Sequence, residues 1–513
     1  MAASATLLRR PINPVLATEP VQSAPIGLKS RPPKQLKRPK LLLLLVLAVL
    51  VSLTLTYIRN YHLRLDGDIA AIVIPRADYA HVLHDPFGWA VLKYNSIYAG
   101  PNRFFAHAAM ILYFRHVPLL LQKVMEPVAS LYAAMALFNV GVQALLLYVM
   151  GWYATGIRRL TSWRLWLGMA LMLPFFQTTG YNQQMAIMDN SVTYNFFYPL
   201  PLTMLLVLLW PLYRAVRRQE PLRLPALHLV AMLLLGVVLA FNGPIITGTV
   251  LVLLLGVGVH LVSQRWRLPA GQWLQGLPWQ AVLLWSWLGV LCLYSLFIGR
   301  NNSENLMATL PLGARYLLVP QGVWEELTSK LGLPLLVLGC IANVQLICRL
   351  LPPAAEGQRI GLVLRYLGLF ALVYVALLPL GGYRNYRPLI LRHDSIVQIT
   401  VGLIGFYGLS GTYLLTHLRG RALRWYAVGV VAITLIFTNA DRKIITNNNN
   451  QSERQALALL AQAGSKPVVQ LPEKCTVMSW EPITNPNESL TNAELLEYWG
   501  ITRGQKLYYY PTR

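Results

Sequence analysis

Apolar residues in this chain cluster in long runs rather than alternating with polar ones. Runs of a length that crosses a hydrocarbon core predict membrane-spanning helices. They fall near residues 41–58, 128–156, 165–176, 195–213, 226–241, 244–263, 279–298, 331–349, 361–380, 396–418 and 423–438. The fold class expected is therefore an all-α polytopic membrane protein with about eleven spans, within a range of 10–13. The third and fifth runs are short. Only Asn242-Gly243-Pro244 separates the fifth from the sixth, as a turn at one face or a break within the membrane.

Two other stretches, "DIAAIVIPRADYAHVLHD" and "NRFFAHAAMILYFRHVPLLLQK", carry charges every few residues. They suit amphipathic helices lying along the membrane surface within a large first loop, residues 59–127. From residue 439 the pattern turns soluble. A cap at Ser452 and a stop at Gly464 bound one helix, "KPVVQL" and "CTVMSW" alternate like strands, and "TNAELLEYWG" reads as a second helix. Residues 439–513 are thus expected to form a small α/β appendage.

Composition agrees with a membrane protein: 55% of the 513 residues are hydrophobic and 12% charged, against about 25% charged in a typical soluble protein. A net charge of +24 on a soluble face would suggest nucleic acid, but here the basic residues lie between apolar runs, so no nucleic-acid partner is inferred. "IRRLTSWR", "RAVRRQEPLRLP", "SQRWR", "RLLPPAAEGQR" and "HLRGRALR" alternate with loops that hold every Asp: 66, 68, 78, 85, 189, 394 and 441. Because Lys and Arg stay on the cytoplasmic side of short loops, the N-terminus is expected in the cytoplasm and the C-terminus outside, in a plasma (inner) membrane. The first forty residues, with eight Lys or Arg and one Glu, read as a disordered basic tail before a retained signal anchor. Cys292, Cys340 and Cys348 lie in apolar runs and suggest neither a disulfide framework nor a zinc site.

Candidate chemistry gathers in the outer loops. "LRLDGD" sets Asp66 and Asp68 just beyond the first span. Three readings stay open there: a turn at Gly67, a divalent-cation site that needs further ligands, or a general base, which needs one carboxylate within reach of a hydroxyl. "GGYRNYRPLILRHDS" concentrates Arg384, Arg387, Arg392 and His393 on the side where acids otherwise prevail. Guanidinium forks suit phosphate, and snorkelling arginines at a helix end would give the same spelling. "TTGYNQQMAIMDNSVTYNFFYP", with Asp189 and Tyr194, and "KYNSIYAGPNRFFAH", with Tyr94, Asn95 and Arg103, are rich in groups that bond sugar hydroxyls. "HVLHD" pairs two histidines without a third convergent ligand. No metal site and no cofactor is firmly implied; a divalent cation is chemically compatible.

This arrangement resembles the GT-C superfamily of polytopic glycosyltransferases, which use polyprenyl-phosphate-linked sugars. The resemblance is one of architecture: a cytoplasmic N-terminus, a large first outer loop with acids just past the first helix, surface helices in that loop, and an outer C-terminal region. It implies that Asp66 or Asp68 is the catalytic acid position, taking the acceptor's proton during an inverting displacement. It also implies that Arg384, Arg387, Arg392, His393 or, more weakly, Arg103 stabilises the leaving phosphate. Tyr94, Asn95, Asp189 and Tyr194 are then sugar- or acceptor-binding, and the acceptor is a glycan, lipid or protein. Glu497-Tyr498-Trp499-Gly500 lacks the double Trp of the oligosaccharyltransferase signature, so peptide glycosylation is not inferred. The rival expectation is a transporter or flippase of a lipid-linked saccharide.

Overall fold

The computed structural model describes residues 38–176, 185, 187–265, 276–307, 309–442, 450–472 and 476–511. Residues 1–37 of the expected N-terminal tail, the first part of the Thr178–Pro199 loop and Cys475 of "CTVMSW" lie outside the described residues, and the last two residues of that tail, 39 and 40, already belong to the first helix. The protein is a polytopic helical membrane protein, with helices in the order α1 (Pro39–Tyr61), α2 (Ile69–Val73), α3 (Ala77–His84), α4 (Trp89–Tyr94), α5 (Phe104–Leu121), α6 (Pro127–Thr155) and α7 (Trp163–Met172). There follow α8 (Val192–Phe197), α9 (Pro199–Arg218), α10 (Ala226–Ala240), α11 (Pro244–Arg265), α12 (Trp279–Gly299), α13 (Glu304–Met307) and α14 (Leu312–Thr328). The chain continues through α15 (Gly332–Leu350), α16 (Ala355–Leu377), α17 (Val397–His417), α18 (Gly420–Arg442), α19 (Gln451–Ala461), β1 (Val468–Gln470), α20 (Leu490–Tyr498) and β2 (Leu507–Tyr509).

Among the described residues, ten helices are long and apolar enough to cross a bilayer, and two shorter apolar ones span Trp163–Phe176 and Ala226–Ala240. Nine of the ten, with the two short ones, coincide with the eleven runs read from sequence. The tenth is α5, placed on the membrane surface by its interspersed charges. Its 18 residues satisfy the length and composition of a span, while its backbone also meets the C-terminal region, accepting bonds from Trp499 Nε1 at Phe114 O and from Tyr498 at Arg115 O. α14 belongs to no element expected from the sequence.

Central and peripheral helices differ in what they face. The apolar windows of α6 and α17 are 61% and 67% buried, against 11% for α16 and 6% for α18, whose outer faces are apolar and unpacked, as for helices that meet lipid. The central helices carry the polar groups, and these pair internally. Asn139 donates to Asn60 at 2.8 Å and accepts from Asn195 at 2.8 Å, which stitches α1, α6 and α8 together inside the bundle.

The C-terminal region differs from the sequence expectation in two details. The residue before α19 is Asn450, but its side chain does not cap the helix; it donates to the carbonyls of Tyr61 and Leu63 and so ties the region to the end of α1. Val468–Gln470 is a strand, yet its partner is Leu507–Tyr509 in parallel register, not "CTVMSW". Around Met478 the backbone turns through a positive φ of 45°, and the Val477 and Met478 carbonyls are bonded by Asn492 and Tyr508 side chains instead of a ladder. A single apolar core joins this region to the first loop: Leu65, Ile69 and Phe114 share it with Leu457, Trp499 and Tyr508.

Candidate functional site

The chain leaving α1 is held by two buried carboxylates. Asp66 is 6% exposed and accepts from Ser191 Oγ (2.8 Å), Thr193 N (3.1 Å), Thr193 Oγ1 (2.8 Å) and the Asp68 backbone N–H (3.0 Å). Burial raises its pKa against these four bonds, which favour the charged form. Glu453, wholly buried, accepts from Leu65 N (3.0 Å), the Tyr132 hydroxyl (3.0 Å) and Met478 N (3.2 Å), and burial pushes it up to about 7. Together these acids clamp the first loop, α6, the 191–193 segment and the C-terminal region. Gly67 is required by the same packing, because a Cβ there would lie 2.6 Å from the Trp480 backbone nitrogen.

Asp68 stands on the other side of that glycine. One carboxylate oxygen accepts from Trp480 Nε1 at 3.1 Å, and the other accepts no hydrogen bond among the described residues. Burial and the nearby Asp66 charge push it up to about 6, opposed by the Trp480 bond and Arg103. Glu304 also lies within electrostatic range, so Asp68 looks onto the cluster that Glu304 organises.

In that cluster Glu304 draws in Arg103 at 3.7 Å and Arg384 at 3.5 Å, and Arg103 holds it below the ordinary carboxylate range despite burial. Asp394 receives Arg387 at 2.6 Å and a two-point fork from Arg392 at 3.0 and 2.7 Å. Burial pushes Asp394 up, but the two guanidiniums outweigh it and leave the carboxyl firmly ionised. Arg387 also donates to Tyr198 and keeps a buried Nε without a partner. Tyr386 lies beneath both Arg387 and Arg392, at 5.2 and 5.0 Å from its ring centroid. Tyr194 lies 5.5 Å from the Arg392 guanidinium and stacks on Trp480 with centroids 6.1 Å apart. Four guanidiniums thus meet two firmly ionised carboxylates, Glu304 and Asp394. The cluster stays cationic beside an accessible carboxylate and an exposed indole, 55% open to solvent.

The turn at Asn242-Gly243-Pro244 reaches this end of the bundle too. A Cβ on Gly243 would lie 3.5 Å from Arg103 Cγ, and Phe105 N donates to Phe241 O at 3.2 Å. Of the two readings left open by the sequence, the punctuation is a turn at the level of the site.

Asp68, Arg103, Arg384, Arg387, Arg392 and Tyr194 therefore come together. Asp66 is a neighbour turned inward. His393 pairs with Asp189 at 3.0 Å, and Asp189 also accepts from Ser191 N at 2.8 Å, so these two brace the loop that holds Asp66. On α14, burial pushes Glu326 up to about 7, with the His393 ring opposing. Asn95 accepts from Asn301 and thereby anchors the segment leading to Glu304; Tyr94 is largely exposed under Lys93. Neither bonds the cluster among the described residues. Asp85 of "HVLHD" caps α4 through Trp89 N and Ala90 N and accepts from Tyr98, while His81 stacks on that Tyr98 ring. Among the described residues no group of three or more His, Cys, Asp and Glu stands together as for a metal.

Sequence reasoning missed Glu304, Asp394 as a counter-charge, Tyr198 and Trp480. Asp394 was readable, since a carboxylate two residues from Arg392 must pair with it if both are buried. Trp480 had no local signal at all.

Fold and site together define a polytopic helical membrane protein with a polar, cationic cluster at one end of its bundle. Compared with family models, curated proteins and solved structures, the chain matches none.

Proposed function

We propose that this protein is a membrane glycosyltransferase of GT-C type, moving a sugar from a polyprenyl-phosphate donor to an acceptor hydroxyl. The observation that carries the reading is the juxtaposition of Asp68, with one oxygen unengaged and its pKa near 6, and a net-cationic arginine cluster at the end of the bundle. Asp68 takes the acceptor hydroxyl's proton. The acceptor oxygen then attacks the anomeric carbon from the face opposite the phosphate, the anomeric C–O bond breaks, and its electron pair leaves on the lipid phosphate. Arg387, Arg392, Arg103 and Arg384 hold that charge, which a phosphate carries without a strong general acid. Asp66 positions and does not react. Trp480 and Tyr194 offer the sugar or acceptor an aromatic face.

The location follows from charge. The basic loops lie at the opposite ends of α6, α9 and α17, so the rule that keeps Lys and Arg inside puts Asp68 on the extracytoplasmic face, where nucleotide sugars are absent and lipid-linked sugars are present. A turn at Asn242–Pro244 in place of an interrupted span favours transfer over transport, since carriers build their sites on broken helices.

The test is purified protein reconstituted in vesicles with polyprenyl-phosphate sugars, comparing wild type with Asp68→Asn and Asp66→Asn. Loss of the new glycosidic bond in Asp68→Asn, with donor binding kept, supports the reading. Undiminished transfer by Asp68→Asn, or movement of lipid-linked sugar across the vesicle with no bond formed, overturns it.

A further inference from the structure

At the other end of the bundle a cavity of about 450 Å³ opens among the last turns of α6, α9 and α17 and the first turns of α7 and α16. α6, α9 and α17 have their N-terminal ends near the Asp66–Asp68 region, where Tyr132, Tyr198 and Asp394 lie, and reach this cavity at Thr155, Arg217 and His417. At 1.5 Å per residue, α17 alone separates the two by roughly 30 Å. They are distinct sites on opposite faces.

The cavity lining is of two kinds. Leu351, Ile360 and Leu409 give it apolar surface, and Arg164, Arg217, Tyr413 and His417 give it polar surface. Glu356 is the acid in the lining, and Arg217 at 3.2 Å and Arg359 at 3.6 Å already share it. Hydrogen-bond donors therefore outnumber acceptors. Arg217 presses on Gly156, where a Cβ would lie 2.8 Å from Nη1. That nitrogen and the hydroxyl of Thr412, itself only 7% exposed, are buried with no hydrogen-bond partner. Those two atoms stand behind the lining, and a volume within the roughly 300–1,000 Å³ of small-molecule sites, lined by more donors than acceptors, leaves space for an acceptor-rich ligand.

We propose that this cavity binds an anionic phosphate group, guanidinium and hydroxyl donors taking its oxygens and the apolar residues taking attached hydrocarbon. Two sources share that chemistry, the headgroup of an anionic phospholipid and a free phosphate ester. The loops around it are the basic ones, so an anionic leaflet is the face it meets. The proposal is independent of the role assigned to Asp68.

The test uses the full-length protein in nanodiscs of phosphatidylcholine with a minor fraction of phosphatidylglycerol. Native mass spectrometry reads the lipid retained after delipidation, and thermal unfolding is followed with and without inorganic phosphate. Arg217→Gln removes the central fork. Ala354→Trp, at an exposed position on the rim, blocks the mouth without entering the core. Arg218→Gln, exposed and outside the lining, is the control. Wild type and Arg218→Gln are expected to retain phosphatidylglycerol over phosphatidylcholine, and Arg217→Gln and Ala354→Trp to lose about tenfold in that retention. Stabilisation by inorganic phosphate, lost in Ala354→Trp, assigns the free-phosphate source instead. Retention and stabilisation unchanged in Ala354→Trp, or absent from wild type, overturn the proposal.

Discussion

Asp66 and Asp68 are separated by one glycine and belong to different kinds of structure. Around Asp66 and Glu453 lies a knot in which seven donors from four chain segments bond two carboxylates. Asp68 has one oxygen held by Trp480 and the other without a hydrogen bond among the described residues, within electrostatic range of Arg103 in the arginine cluster. A saturated carboxylate cannot accept a proton from a substrate without giving up bonds that hold the fold. The knot therefore fixes geometry, and in the proposed reaction the unengaged oxygen of Asp68 is the one free to act.

The sharpest way to break this division is substitution on either side of Gly67. Asp68→Asn is expected to lower glycosyl transfer by about 10²–10⁴-fold, the usual share of a general base, at an unchanged melting temperature. Gly67→Ala should cost both properties, because the new methyl group collides with the Trp480 backbone; overpacking of this kind costs about 1–3 kcal/mol, read as a lower melting temperature together with lost transfer. Asp66→Ala leaves the Ser191 and Thr193 donors buried without an acceptor, at about 1–3 kcal/mol, and residual transfer should track the folded fraction. If Asp66→Ala abolished turnover in fully folded protein while Asp68→Asn did not, the two roles would be exchanged.

The pH responses should run in opposite directions. Asp68 acts as a base only when ionised, so transfer should climb as pH rises through about 6 and level off above. Glu453 is raised from 4.5 to about 7 in the fold, so across that interval the folded state holds a proton that the unfolded chain has released. Its contribution to stability is full below about 4.5 and is lost as pH rises through 7. Thermal unfolding and a pH–rate profile on one preparation check both, and Glu453→Gln should flatten the first without moving the second. The smallest effect is expected from Trp480→Phe, which removes the Nε1 donor that favours the Asp68 carboxylate. It should move the inflection of the rate profile to slightly higher pH.

Legibility followed the range of the physics. Span positions were readable because the cost of placing a polar backbone or side chain in hydrocarbon is summed over about 20 consecutive residues. α5 was harder, since its sequence carries both the charges of a surface helix and the length of a span. In the site, the arginines of the Gly381–Ser395 loop were visible as a local excess of charge. Their counter-ions were not, because Glu304 lies 80 residues before Arg384 in the chain. Asn95, chosen for its capacity to bond sugar, turned out to hold Asn301.

By itself the sequence determined a multi-span helical protein, sorted its basic and acidic loops to opposite ends, and put two carboxylates at the end of the first helix. Hydropathy and charge act segment by segment, so they survive without knowledge of any partner. Which carboxylate is bound and which is open was decided only in three dimensions. Thr193 reaches Asp66 across 127 positions, Glu453 reaches Leu65 across 388, and Trp480 reaches Asp68 across 412. Burial, and with it the direction of each pKa, depends on those distant segments packing together.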